Sequence, residues 1–173
     1  MMHFKITLQV KMTNEKLDIK LRQTEIEDLP VFFQFQLDEA SYLAAFIPED
    51  PTDKSAYLTK HTKLLSAPTI NYMTISFNNS IVGSIVKFEM EREAEITYWI
   101  DKKFWGQGVA TKALADFLNI ETKRPIYARV AFDNYASQKV LEKSGFVKIA
   151  REVSFANARQ TEIAEFIYKL TIV

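Results

Sequence analysis

The amino-acid sequence predicts one α+β domain, in which helices flank a mixed, largely antiparallel sheet. Segments that alternate apolar and polar residues recur along the chain, and short turn-forming clusters separate them. Segments with helical periodicity interrupt these strand patterns, as expected for an α+β fold. The 173 residues, 47% of them hydrophobic, suffice for one buried core. We assign residues 17–173 to this domain and residues 1–16 to an N-terminal extension.

The first half of the chain predicts an extra N-terminal strand ahead of the domain and two helices inside it. Phe4 to Val10 alternate strictly, and the alternation resumes at Leu17 after a polar turn. In order, the patterns predict a strand over 4–10, a turn over 13–16, a strand over 17–21, a helix that Asp28 caps and that runs to about 37, and a helix that Thr52 or Asp53 caps and that runs to about 65.

The second half predicts a strand-rich arrangement with two more helices. Asn78-Asn79-Ser80 is typical of a turn between antiparallel strands, and Gly145 is typical of a helix end. In order, the patterns predict strands over 72–77, 81–90 and 95–100, a helix to about 120, a strand over 126–131, a helix over 136–143, and strands over 146–154 and 161–171.

The turn Trp105-Gly106-Gln107-Gly108-Val109-Ala110 is the feature that indicates chemistry. It follows a predicted strand and opens a helix, and it holds two of the four glycines in the chain. The first amides of a helix lack partners within the helix, and glycine lets an anion approach the main chain. We therefore predict a pyrophosphate site. The alternatives are a turn that binds nothing and an ATP site, although Lys112 lies outside the usual Gly-Lys-Ser/Thr order.

Composition argues against several classes of partner. The 22 basic and 22 acidic residues balance, so nucleic acid is not an expected partner. We also expect no membrane association and a cytoplasmic location, since no apolar run approaches membrane-spanning length and cysteine is absent. His3 and His61 lie far apart without ligand neighbours, so we expect no metal site.

With these motifs placed, the sequence resembles the GNAT superfamily of acetyl-CoA-dependent N-acetyltransferases, over about residues 17–171. The closest likeness is to the branch that acetylates protein N-termini, notably those of ribosomal proteins. The resemblance rests on four segments, which are Leu17 to Arg22, Tyr98-Trp99-Ile100, the glycine turn, and Asn134-Tyr135-Ala136-Ser137 with the following helix.

The resemblance implies a GNAT-like sheet splayed between its fourth and fifth strands, with pantetheine in the gap. Main chain at Trp99 and Ile100 would bind pantetheine, and a strand bulge near Ile100 would polarise the acetyl carbonyl. Asn134 would hydrogen-bond pantetheine or that carbonyl, although asparagine also caps helices. Amides of the glycine turn would hold the pyrophosphate of acetyl-CoA, and these belong to Gly106, Gln107, Gly108, Val109, Ala110 and Thr111.

Two positions depart from the family pattern. Trp105 stands where Arg or Gln is frequent, and we interpret it as a mark of the branch. Leu141 stands where many members place the tyrosine that protonates the CoA thiolate. Ser137 is the best substitute by position, and the alternative is a serine that only caps its helix.

The expected reaction is direct transfer of the acetyl group to a primary amine, on a protein N-terminus or a small molecule. Glu95 is the first candidate for the catalytic base, ahead of Glu93 and Glu89. Glu49, Asp50 and Asp53 could attract a cationic acceptor or simply start a helix. The alternative function is a catalytically weak CoA-binding or sensing module. Monomer and homodimer both remain open.

Overall fold

The structure is a computed structural model that describes residues 18–45 and 47–172. The strand predicted over Phe4 to Val10, and the rest of the extension assigned to residues 1–16, lie outside the described residues.

The described residues form seven strands and five α-helices. The strands are β1 (Ile19–Gln23), β2 (Asn71–Phe77), β3 (Ser80–Met90), β4 (Glu93–Ile100), β5 (Ile126–Ala131), β6 (Val147–Ala156) and β7 (Thr161–Leu170). The helices are α1 (Leu29–Gln36), α2 (Ser41–Ala44), α3 (Lys54–Leu65), α4 (Val109–Ile120) and α5 (Tyr135–Lys143), with 3₁₀ turns at Ile26–Asp28 and Lys102–Phe104.

The seven strands form one sheet in the order β1-β2-β3-β4-β5-β7-β6. Neighbouring strands are antiparallel except β4 and β5, which are parallel. In the described residues β4 and β5 pair only at Ala94 with Ile126 and Glu95 with Tyr127. Beyond these two residue pairs, β4 continues to Ile100 and β5 to Ala131, but the two strands no longer pair with each other. A gap therefore opens between them. The mixed, largely antiparallel fold is confirmed.

Helices pack on both faces of the sheet. On the α4/α5 face, apolar side chains such as Ile96, Leu114 and Val130 form the larger core cluster. On the α1/α3 face, Leu29, Phe33 and Tyr57 pack against strands β2 and β3 in a second cluster. Because side chains along a strand alternate between faces, β4 directs Ala94, Ile96, Tyr98 and Ile100 to the first face and Glu95 to the second.

Most predicted elements agree with the structure within two residues, and two features differ. Asp28 precedes α1 but does not cap it, because its carboxylate binds the Arg22 guanidinium and the Thr74 hydroxyl. The short helix α2 had no prediction, whereas α1 begins at Leu29 as expected. None of the helices in the described residues combines the length and apolar character needed to span a membrane.

Candidate active site

The glycine turn joins β4 to α4 through a left-handed backbone. Gly106 has a φ of +71° and Gly108 a φ of +79°, a region that other residues avoid. A Cβ built on Gly106 would meet no described atom within 4 Å, and residues 105–108 are exposed. The turn therefore presents bare main chain to an incoming group.

Side chains around the turn brace it from within. The Asp101 carboxylate accepts a hydrogen bond from the Lys103 amide at 3.1 Å. The Gln107 side-chain amide donates to the Lys103 carbonyl at 3.1 Å, and the Trp105 indole donates to the Ile100 carbonyl at 2.8 Å. Trp105 thus fastens the turn to the end of β4, which gives this departure from the family pattern a structural role.

The start of α4 differs from the starts of α3 and α5. Asp53 caps α3 by accepting from the Ala56 amide at 2.8 Å, and Asn134 caps α5 by accepting from the Ser137 amide at 3.2 Å. Helix α4 begins after Gly108, which has no side chain with which to cap it. Its first amides and the positive end of its dipole face the exposed turn. The predicted residues 106–111 therefore span the turn and the uncapped start of α4, where main-chain amides suit an anionic group such as a pyrophosphate.

The end of β4 directs main-chain groups into the gap. A Cβ on Gly83 would lie 2.0 Å from the Trp99 carbonyl oxygen, so this oxygen faces β3 and the position requires glycine. Peptide groups alternate along a strand, so the main chain of Tyr98 and Ile100 faces the gap instead. The bulge expected near Ile100 is absent from the described β3–β4 register, which runs without a shift. The pantetheine-binding role of Trp99 stays a prediction.

The Asn134 side chain is held at both ends. Its oxygen caps α5 at Ser137, and its nitrogen donates to the Leu43 carbonyl at 3.4 Å. The structure therefore shows the capping role that was the alternative interpretation. A role in binding CoA stays a prediction.

Ser137 lies in the first turn of α5 and contacts a tyrosine from β4. Its Oγ is 2.8 Å from the Tyr98 hydroxyl oxygen, and the Tyr98 hydroxyl also lies 3.3 Å from the Ser137 carbonyl oxygen. Burial raises the pKa of Tyr98 to about 12, although its hydrogen bond with Ser137 acts to lower it. No sequence pattern assigns a role to Tyr98, because only the tertiary packing of α5 brings the two hydroxyls together.

Leu141 lies one turn beyond Ser137 on the same face of α5. It is 1% exposed and belongs to the larger core cluster. The Leu141 side chain packs in the core and has no proton to donate. It therefore cannot replace the tyrosine that many family members have at this position.

Glu95 lies at the point where β4 and β5 separate, on the face opposite Tyr98. Its residue is 5% exposed, and its carboxylate accepts from the Arg129 guanidinium at 3.1 Å. Burial raises the pKa of Glu95, Arg129 lowers it, and the nearby Glu165 adds to the increase. The net shift is upward, so Glu95 is a stronger base than an ordinary glutamate.

The other two predicted bases lie in more ordinary surroundings. Glu93 is exposed at the start of β4, and Glu89 pairs with the Lys87 ammonium at 3.1 Å. Arg129 instead joins Glu95 to Glu165 and Glu152, whose carboxylate oxygens lie 3.3 and 2.7 Å from its Nη1. Three carboxylates therefore surround one guanidinium on this face, which leaves an excess of negative charge there.

The residues predicted to attract an acceptor act mainly as local caps. Asp53 caps α3, and Asp50 accepts from the Thr52 amide at 2.9 Å.

Comparison with known proteins identifies the family. Residues 18–147, well over half of the chain, match the family described as Acetyltransferase (GNAT) domain. The sequence matches no curated protein.

Solved structures share the fold at low sequence identity. The acetyltransferase of Salmonella typhimurium that modifies the N-terminal serine of ribosomal protein L7/L12 is similar at a TM-score of 0.71 and 18% identity, over 90% of this chain and 95% of that chain. Spermidine N-acetyltransferase from Vibrio cholerae, in complex with CoA and spermine, has a TM-score of 0.71 and 20% identity, over 87% and 95%. The microcin C7 self-immunity acetyltransferase, in complex with acetyl-CoA and AMP, has a TM-score of 0.73 and 14% identity, over 89% and 92%.

Proposed function

We propose, because the chain belongs to the GNAT family of acetyltransferases, that it transfers the acetyl group of acetyl-CoA directly to a primary amine. The acceptor is a protein N-terminus or a small-molecule amine. The observation that supports this most is the glycine start of α4, whose first amides have no side-chain cap and follow the end of β4 at the gap in the sheet. A phosphate group bound there would lie next to main chain that lines the gap.

Acetyl-CoA supplies an activated thioester, and the chain supplies binding and proton transfer around it. Amides of residues 106–111 would hold the pyrophosphate, and the main chain of Ile100 would face the pantetheine. The solved structures that contain CoA or acetyl-CoA share this fold, which supports the same use of the turn here.

Two side chains on opposite faces of the gap serve the two proton transfers. Ser137, on the α4/α5 face, is the proposed donor to the departing thiolate. Glu95, on the α1/α3 face, is the proposed base, acting directly or through water on the acceptor ammonium. Because burial raises its pKa, Glu95 takes up a proton more readily than an exposed glutamate does.

An α-amine acceptor needs less help from this base than a lysine-like amine does. An α-amine has an ordinary pKa of about 7.7–8.0, whereas a lysine amine has one of about 10.4. An α-amine is already partly neutral at physiological pH, so it needs less help from Glu95. The carboxylates around Arg129 favour a cationic acceptor in either case.

A thiol-release assay tests this function. The purified chain is incubated with acetyl-CoA and a panel of N-terminal peptides and polyamines, and free CoA is followed with a thiol reagent. We expect amine-dependent release and an acetylated amine product by mass spectrometry. Because the chain has no cysteine, the reagent reports only CoA.

The second candidate is a CoA-binding module without turnover. The apolar Leu141 in the core of α5 favours it, since no hydroxyl stands there. Calorimetric binding of CoA without thiol release across the whole panel would support this candidate over the enzyme.

A further inference from the structure

We propose that the Tyr98 hydroxyl is a positioning group for Ser137, the proton donor to the CoA thiolate. It orients the Ser137 hydroxyl and replaces the proton that Ser137 gives up. This inference rests on the proposed function and names a second residue for its acid step.

The position of Tyr98 indicates that its hydroxyl has a specific purpose. Its neighbours on the same face of β4, Ile96 and Ile100, are 3% and 7% exposed and belong to the apolar core. A phenylalanine side chain would fill the same space among the apolar side chains on this face of β4. The hydroxyl adds one feature, its hydrogen bond to Ser137, which joins β4 to α5 beyond the last β4–β5 pair.

Either hydroxyl can donate in this pair, and the Tyr98 hydroxyl can also donate to the Ser137 carbonyl oxygen at 3.3 Å. The inferred role uses the arrangement in which Tyr98 donates to the Ser137 Oγ. Burial keeps the Tyr98 phenol protonated at neutral pH, so it always has a hydrogen to donate. When Tyr98 donates to the Ser137 Oγ at 2.8 Å, the hydrogen of Ser137 is free to point elsewhere. Asn134 fixes the backbone of Ser137 through its cap, so the hydroxyl pair has a rigid support.

The proton balance needs both hydroxyls. As the acetyl carbon–sulfur bond breaks, its electron pair moves to sulfur. Ser137 then passes its hydrogen to the sulfur and receives the Tyr98 hydrogen in the same step. The resulting phenolate regains a proton from water. Without Tyr98, Ser137 would be left as an alkoxide, which is disfavoured because an aliphatic hydroxyl is a far weaker acid than a phenol.

Removing the hydroxyl while keeping the ring tests the proposal. In Tyr98→Phe we expect kcat of thiol release to fall about 10- to 100-fold, while KM for acetyl-CoA and the calorimetric Kd of CoA stay within about twofold. The matched control is Tyr135→Phe, at an exposed tyrosine that begins the same helix. This control should keep wild-type kcat, and thermal unfolding checks that both variants fold.

Ser137→Ala and the double variant complete the design. If the two hydroxyls act as a unit, the double variant loses no more than about twofold beyond the larger single loss. Unchanged kcat in Tyr98→Phe, or losses that multiply in the double variant, would overturn the role of Tyr98 while the proposed function stands. Equal loss of CoA affinity and kcat would reduce Tyr98 to a structural role. A wild-type chain that binds CoA and releases no thiol would overturn both proposals.

Discussion

Glu95 combines burial with an ion pair, and the two act on its carboxylate in opposite directions. Burial raises its pKa, and the Arg129 guanidinium lowers it by a smaller amount. The residue therefore stays anchored by Arg129 yet takes up a proton more readily than an exposed glutamate. Both properties suit a base at the point where two strands separate.

We predict that Glu95→Gln lowers kcat for amine acetylation about 100-fold or more while leaving the Kd of CoA unchanged. Glutamine keeps the shape of the side chain and removes its basicity. Steady-state kinetics and calorimetry measure the two quantities.

Glu165→Gln is the matched control, since Glu165 is also 5% exposed and also binds Arg129. It breaks a comparable ion pair but leaves the Glu95 carboxylate in place, so its kcat should fall far less. Equal losses in the two variants would mean that the charge cluster, and not Glu95 as a base, supports activity. Larger losses in Glu93→Gln or Glu89→Gln would move the base to those residues.

Asp28 shows a different use of a buried carboxylate. It is 3% exposed, and it accepts two hydrogen bonds from Arg22, at 2.6 and 2.7 Å, and one from Thr74 at 2.7 Å. Burial alone would raise its pKa, but these bonds outweigh burial and lower it. The unfolded chain therefore binds this proton at a higher pH than the folded chain does.

The Asp28 ion pair should make stability depend on pH in the acid range. Its contribution is full above the unfolded pKa of about 3.9 and is lost as the pH falls through the lowered folded value. Asp28→Asn should cost about 2–3 kcal/mol at pH 7 and less at pH 2–3. Denaturant unfolding at several pH values measures this, and an equal cost at every pH would contradict it.

Among the elements, helix α2 and the following Ala45 are held by the β6–β7 hairpin. The Arg159 guanidinium binds both oxygens of Asp133 at 2.8 Å and lies 4.4 Å from the centre of the Tyr42 ring. The hairpin amide of Ala158 donates to the Ala45 carbonyl at 3.1 Å. These contacts connect α2 and the hairpin to the loop that carries Asn134.

We predict that Arg159→Lys destabilises the chain by about 1–2 kcal/mol, because lysine cannot form the two parallel bonds to Asp133. The Arg159 side chain is only 4% exposed, so water replaces these bonds poorly. Arg151→Lys, at an exposed position of β6, is the control and should have little effect. Chemical denaturation measures both, and equal midpoints would contradict this role for Arg159.

Local signals predicted the elements well and the tertiary contacts poorly. The Asn78-Asn79 turn, the Asp53 cap and the glycine turn depend on backbone preferences that neighbouring residues encode. The Tyr98–Ser137 bond joins residues that are 39 positions apart, and Asp28 left its expected capping role for Arg22 and Thr74. Such contacts depend on how strands and helices pack, so periodicity could not reveal them. The limited β4–β5 pairing was expected only through the family resemblance.

Across the whole molecule, the gap between β4 and β5 connects the two faces of the sheet. Helices α4 and α5 bring the glycine turn and Ser137 to one face, and the Glu95 cluster with Arg129 occupies the other. This separation suits direct transfer, since the proposed donor and acceptor sites need not compete for one pocket. Acetyl transfer through this gap therefore requires CoA to bind at the start of α4.

Calorimetric titration of CoA into the wild type, Gly108→Ala and Gly108→Asp tests that binding site most directly. Alanine carries only the backbone cost of a φ near +79°, about 1–2 kcal/mol. Aspartate tolerates that φ better and caps the helix, so the fold should persist, but its negative charge occupies the amides. We predict that Gly108→Asp binds CoA about 100-fold more weakly than the wild type and clearly more weakly than Gly108→Ala. A folded Gly108→Asp variant that binds CoA as tightly as the wild type would contradict the account.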